Sequence, residues 1–212
     1  MVEKFIIHMN SYSTRASEEE IFARLVQIVE PGAKDIVLRA SQIIEKQNSK
    51  AMLILYEYDA SLGGMGIYQF TEKRHLGAYR SLFYVKLSLA SPYVKELTRY
   101  AVHSACAYIE ALLKKVVHTW PWEEIGPENY PLGTLIHRYK RHLPPELLDN
   151  LLWLTKSVYN FAKHYNNFEN DENDPENYFS IKEAIAVYFI CRKLGLELEK
   201  LMGKSQEELE WD

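Results

Sequence analysis

The segment PELLDNLLWLTKSVYNFAKHY, from Pro145 to Tyr165, has a long run of apolar residues at helical spacing. Projected onto a helix at about 100° per residue, these apolar side chains form one stripe: Leu147, Leu151, Leu154, Val158, Phe161 and Tyr165. Asn160 and His164 fall on the opposite side, one turn apart, together with Trp153 and near Ser157. The pattern predicts one amphipathic helix whose second face contacts a ligand, a partner or a further layer of the same protein.

Helix caps and stop signals recur along the rest of the chain and predict an all-α fold. Ser17 precedes a run of glutamates and can cap a first helix. Ser180 opens a capping box for the last long helix, which Gly195 is expected to close. Helical periodicity also predicts a helix from Pro92 to about His118 and a shorter one from Leu132 to Arg141.

Two stretches of the N-terminal half have no clear periodicity. The apolar run from Ala51 to Tyr58 fits a strand or a helix, and we favour a helix because Gly63 follows as a stop signal. Residues from Tyr84 to Leu89 alternate like a strand. We therefore expect a mostly helical N-terminal region (residues 1–90), an antiparallel helical bundle (residues 91–203) and a tail (residues 204–212).

The composition is that of an ordinary globular protein of 212 residues, with 47% hydrophobic and 25% charged residues. The net charge of −4 means that nucleic acid would be attracted only by a local basic patch. Cys106 and Cys191 lie in apolar helical stretches and are predicted to be reduced core residues. No apolar run approaches the roughly 20 residues that span a bilayer, so no membrane contact and a cytoplasmic location are expected.

A basic stretch, His137-Arg138-Tyr139-Lys140-Arg141-His142, is the second candidate site. Cations interleaved with an aromatic residue suit RNA, because the cations contact phosphates while a base stacks on Tyr139. The alternative is a solvated helix end whose cations complement the helix dipole. Both interpretations remain open at the level of the sequence.

Other chemistries have weaker support. His103 and Glu110 lie on the polar stripe of the predicted helix after Pro92, and most such stripes are simply solvated. His137 and His142 are five residues apart, which places them on different helix faces, and no paired-cysteine motif exists. We therefore expect neither a metal site nor a cofactor.

The Asn160/His164 pair and the helices around it resemble the HEPN superfamily of small helical bundles, many of which are RNases or nucleotide-binding modules. The hallmark of that family is an arginine, usually followed by asparagine, three further residues and histidine, late in a bundle helix. Asn160 to His164 match the asparagine-to-histidine part, and Tyr159 occupies the position of the arginine. The resemblance covers about residues 92–201.

The resemblance implies two functions, between which the arginine position decides. An active metal-independent RNase would use His164 as general acid/base and Asn160 to position it, with Lys156 or Lys163 in place of the arginine. Because lysine lacks the bidentate fork and Tyr159 lacks the charge, we favour a catalytically weak or silent module. Such a module binds RNA, a nucleotide or a protein partner; a purely structural interaction protein is the third alternative.

The resemblance also implies how the protein assembles. HEPN-like modules commonly pair through the face that carries their motif, so the resemblance implies a homodimer with Trp153, Ser157, Asn160 and His164 at its interface. A tryptophan on a solvent-facing helix surface is also expected to be covered by something. The competing explanation is that residues 1–90 fold over this face within one chain.

Overall fold

The computed structural model describes residues 14–46, 50–63, 77–122, 130–163 and 179–205, together with Glu208. Every regular element in these ranges is a helix, which confirms the all-α fold class. In chain order the helices are α1 (Glu18–Ile28), α2 (Ala33–Glu45), α3 (Lys50–Ser61), α4 (Tyr79–Leu89), α5 (Val94–His118), α6 (Leu132–Tyr139), α7 (Pro145–Trp153), a π-helical segment (Leu154–Tyr159), α8 (Asn160–Lys163) and α9 (Ile181–Glu199).

The predicted helix starts are confirmed where side-chain caps define them. Ser17 accepts a hydrogen bond from the Glu20 backbone N–H at 3.2 Å, and the Glu20 carboxylate accepts one from the Ser17 N–H. Ser180 and Glu183 form the same reciprocal box at the start of α9. Each box satisfies two backbone donors that a helix start otherwise leaves unpaired, which fixes where the chain turns into a helix.

The strand-like alternation from Tyr84 to Leu89 is a wrong prediction, because these residues form the second half of α4. Leu82, Val85 and Leu89 are buried at helical spacing against α5. Packing against α5 therefore favours a helix here, although the local sequence alternates like a strand. The preference for a helix from Ala51 to Tyr58 is confirmed by α3.

Helix α9 lies at the centre of the protein and is buried on nearly all sides, as its continuous apolar sequence predicts. It packs against α1, α2, α5 and α7, and α4 packs along α5. Helices before and after residue 90 contribute to one hydrophobic core. The predicted helix end at Gly195 is wrong, because α9 continues to Glu199. Gly195 lies inside the helix, where the absence of a side chain leaves room for the ring of Tyr108.

The predicted single helix from Pro145 is interrupted by the π-helical segment. The Asn160 N–H donates to the Thr155 carbonyl, five residues back, so one turn contains an extra residue. The extra residue rotates the residues of α8 relative to α7. Tyr159 and Ala162 are buried while Phe161 is only partly buried, so the predicted core stripe is not kept at Phe161, and Tyr165 lies outside the described residues.

Candidate functional site

An open groove of about 730 Å³ lies between α6 and the wall formed by the end of α7, the π-helical segment and α8. His137 and Arg138 reach it from α6, and Lys156, Asn160 and Lys163 reach it from the opposite wall. In the sequence these two stretches are separate candidate sites. The structure brings five of their polar residues together around one groove.

The cations of the groove stand at its edges and face solvent. Lys156 and Lys163 are exposed, and the Lys163 Nζ lies 5.4 Å from the ring centroid of Tyr159. Lys156 forms no ion pair within the described residues. The Arg138 guanidinium donates to the Tyr130 hydroxyl at 3.2 Å and lies 5.3 Å from the Tyr130 ring, which holds it in place. An anion entering the groove therefore meets three positive side chains.

Glu110 is the one carboxylate among the described residues that line the groove, and it is already satisfied. It accepts hydrogen bonds from Lys114 Nζ at 2.9 Å, the Leu132 backbone N–H at 3.3 Å and the Tyr159 hydroxyl at 3.2 Å. Burial alone would raise the pKa of Glu110, but Lys114, the Leu132 N–H and the charge of Lys163 hold it below its ordinary value. Lys114 neutralises this charge, so the groove keeps its positive character.

Tyr159, at the position of the family arginine, forms part of the groove floor. Its side chain is 5% exposed and its hydroxyl donates to Glu110. Burial and the Glu110 charge raise the pKa of Tyr159 well above its ordinary value, so the phenol stays neutral. This contact is not visible in the sequence, because only the extra residue of the π-helical segment turns Tyr159 inward.

His103 lies behind the groove wall, with its ring centroid 5.6 Å from that of Tyr159. Burial and the charges of Lys163 and Arg99 lower the pKa of His103 below its ordinary value of 6.5. The imidazole is therefore neutral at pH 7. It does not add a positive charge to the groove.

Replacing Lys163 by glutamine is expected to raise the pKa of His103, because the charge of Lys163 contributes to lowering it. NMR titration of the imidazole nitrogens measures this, with the His103→Gln spectrum identifying the signal. Lys95→Gln, at an exposed lysine about 12 Å along α5 from His103, is the matched control. An unchanged His103 titration in Lys163→Gln would contradict the described charge arrangement.

Several predicted site residues lie elsewhere. Tyr139 is buried with its ring 5.5 Å from that of Trp120, so it is not available for base stacking. Lys140 and Arg141 are exposed but follow the end of α6 and do not line the groove. His164 lies outside the described residues, and its relation to Asn160 stays a prediction.

Trp153 does not share a face with Asn160. The Arg24 guanidinium of α1 lies 5.5 Å from its ring centroid, and the Ala16 N–H donates to the Ser157 carbonyl at 2.8 Å. Residues of the N-terminal region thus contact Trp153 and Ser157, which both remain partly exposed. The homodimer stays a prediction.

Cys106 and Cys191 are free and buried, which confirms them as core residues. In the described part of the chain, no group of histidine, cysteine and acidic side chains is arranged to hold a metal ion. Over those same residues, no helix combines the length and apolar character needed to cross a bilayer.

The fold and the groove define the protein as an all-α protein with a basic, solvent-open groove. The chain matches no protein family, no curated protein and no solved structure.

Proposed function

We propose that the protein is a HEPN-like module that binds single-stranded RNA in the groove between α6 and α8 without cleaving it. The observation that carries the proposal is the convergence of Arg138, Lys156 and Lys163 on one groove from two separate stretches of the chain. Phosphate contacts supply most of the affinity in non-specific RNA binding, and three cations at the edges of a groove suit a chain of phosphates.

The groove also fits the proposal in size and lining. Its volume of about 730 Å³ is within the range of ligand pockets, and the partly exposed Leu152 lies among the cations that line it. A base can pack on such a surface while its phosphate contacts a lysine. The exposed amide of Asn160 adds a donor and an acceptor between Lys156 and Lys163.

Tyr159 supports binding without cleavage. Cleavage of a phosphodiester develops negative charge that a positioned cation stabilises in the transition state. At the position of the family arginine, the chain presents a neutral phenol whose hydroxyl is bound to Glu110. Lysines at the groove edge attract phosphate but lack the planar fork of an arginine.

We expect the double variant Lys156→Glu/Lys163→Glu to lose most of its affinity for a fluorescein-labelled single-stranded RNA, because two attractive charges become repulsive. Fluorescence anisotropy at several salt concentrations measures this. Each lost phosphate contact should reduce the slope of log K against log salt by about 0.7. Lys95→Glu carries the same substitution on an exposed part of α5 and should bind like wild type.

The same samples, run on a denaturing gel, test the absence of cleavage. Intact RNA after prolonged incubation with wild-type protein is the expected result. Equal RNA affinity in wild type and the double variant would refute the binding proposal. Cleavage that disappears in His164→Ala would instead favour the active RNase.

A further inference from the structure

Gly133 lines the groove between α6 and α8 and is the second residue of α6. Two other glycines have an evident structural reason: Gly203 has a φ of 75°, and Gly195 leaves room for the ring of Tyr108. Neither reason applies to Gly133, which has a helical backbone and whose added Cβ would lie 3.7 Å from Thr155 Cγ2, an ordinary contact distance. Glycine is also a poor helix residue. The fold therefore does not require a glycine at this position.

The wall of the groove next to Gly133 is apolar. Thr155 is 7% exposed and its hydroxyl donates to the Leu151 carbonyl at 2.8 Å, so the part of this side chain that lies nearest to Gly133 is the methyl group. The partly exposed Leu152 lies about one turn before Thr155 and lines the same groove. The cations stand at the groove edges instead. The part of the groove around Gly133 therefore suits an apolar face of a ligand and not a phosphate.

A glycine without a side chain lets a ligand approach the backbone closely. Within the described residues, no protein atom comes closer than 3.7 Å to the position of the missing Cβ, so this space belongs to the groove. A flat base can rest there, whereas a side chain on residue 133 would hold the base away. A duplex keeps its bases paired and stacked, and single strands are recognised through bases that are splayed out. Only an unstacked base can therefore reach Gly133.

We propose that one unstacked base of a bound single-stranded RNA rests on the backbone of Gly133 beside the methyl group of Thr155, while the phosphates contact the cations at the groove edges. Gly133 is thus a specificity-determining residue, because it favours a strand that presents a base over a chain of phosphates alone. The inference rests on the proposed function, since it concerns the same groove. It adds a contribution of the base to affinity, which charge attraction alone does not require.

Fluorescence anisotropy with a labelled uridine oligomer and with an abasic RNA of the same length tests the proposal, because the two probes carry the same number of phosphates. Wild-type protein is expected to bind the uridine oligomer more tightly. Gly133→Ala should lose about tenfold of this affinity, the loss expected when an added methyl group overpacks a close contact. The variant should bind the abasic RNA like wild type, because no base is displaced there. Its salt dependence should also stay unchanged, since no phosphate contact is lost.

Gly32→Ala is the matched control, because Gly32 precedes α2 outside the groove and its added Cβ would lie 3.8 Å from Glu30 Oε1. This control should bind both RNAs like wild type. Thermal unfolding should show Gly133→Ala to be at least as stable as wild type, because alanine is the better helix residue and its Cβ meets no clash. Thr155→Ser keeps the hydroxyl that donates to Leu151 and removes the methyl group, so the test survives if Gly133→Ala folds poorly. Its loss of affinity should likewise be confined to the uridine oligomer.

The proposal is overturned if wild type binds both RNAs equally, if Gly133→Ala and Thr155→Ser both bind the uridine oligomer like wild type, or if both variants lose affinity for the two RNAs alike. Each of these results leaves RNA binding itself intact as long as Lys156→Glu/Lys163→Glu still loses affinity. If wild type binds neither RNA, the proposed function fails and this inference fails with it.

Discussion

Replacing Asp59 by leucine is expected to lower the free energy of unfolding by about 3–5 kcal/mol, among the largest effects of any single change in this protein. Asp59 accepts from Arg192 Nε at 2.7 Å and from the Tyr188 hydroxyl at 2.8 Å, and its side chain is fully buried. The Arg192 side chain is 1% exposed. Removing the carboxylate leaves the guanidinium charge in the core without its counter-ion, and water cannot replace the lost pairing.

The directions of the pKa shifts support this coupling. Burial alone would lower the pKa of Arg192, but the charge of Asp59 raises it above its ordinary value. Burial and the Asp59 charge raise the pKa of Tyr188 well above its ordinary value, so Tyr188 remains a neutral donor. A charged Arg192 and a neutral Tyr188 therefore both remain donors to the Asp59 carboxylate.

Urea unfolding followed by circular dichroism measures the loss. Asp149→Ala is the matched control, because Asp149 pairs with Arg24 at 2.8 Å but its side chain is 66% exposed. An exposed pair contributes only about 0–1 kcal/mol, so this control should unfold nearly like wild type. The double variant Asp59→Leu/Arg192→Met should recover part of the loss, because no unpaired charge remains in the core. Equal losses in Asp59→Leu and Asp149→Ala would show that Asp59 is not buried with Arg192.

Capping chemistry explains why the helical fold could be predicted from the sequence. The boxes at Ser17 and Ser180 act over three residues, and such local contacts are visible in the sequence. The apolar stripe of α5 is equally direct, since Val94–His118 has one continuous period. The strand-like alternation from Tyr84 to Leu89 gave a wrong prediction of a strand. Only the contact of α4 with α5 shows which of these side chains are buried.

The candidate site was harder to predict because one extra residue in the helix changes the direction in which the following side chains point. The prediction from an ideal helix placed Trp153 and Asn160 on one face and left Tyr159 undefined. The π-helical segment separates them: Trp153 contacts Arg24, whereas Asn160 lines the groove. No local signal in LTKSVY announces the extra residue, although Thr155 contributes by donating its hydroxyl to the Leu151 carbonyl at 2.8 Å.

The π-helical segment also connects the fold to the proposed function. Segments of this kind frequently occur at functional sites, and this one lines the groove with Thr155, Lys156 and Tyr159. Its opposite side accepts the Ala16 N–H at Ser157. The same irregular turn therefore presents Lys156 to the groove and anchors the N-terminal region on the other side.

Replacing Gly195 by alanine is expected to destabilise the protein by about 3 kcal/mol, the upper part of the range for overpacked cores. By helix propensity alone, this change inside α9 would stabilise the protein by about 1 kcal/mol. The added Cβ, however, would overlap the hydroxyl and two ring carbons of Tyr108 on α5. Tyr108 is fully buried beside Arg192 and Tyr79, so its ring has no free space into which it can move.

Thermal unfolding of Gly195→Ala and of Gly203→Ala separates packing from backbone effects. Gly203 has a φ of 75° and nothing close to an added Cβ, so its alanine variant is strained only by the backbone. The double variant Gly195→Ala/Tyr108→Leu should lose less than the sum of its single changes, because the shorter side chain removes the overlap. If Gly195→Ala instead matches or exceeds the wild-type stability, α5 and α9 do not approach as closely as the contact of Gly195 with Tyr108 requires.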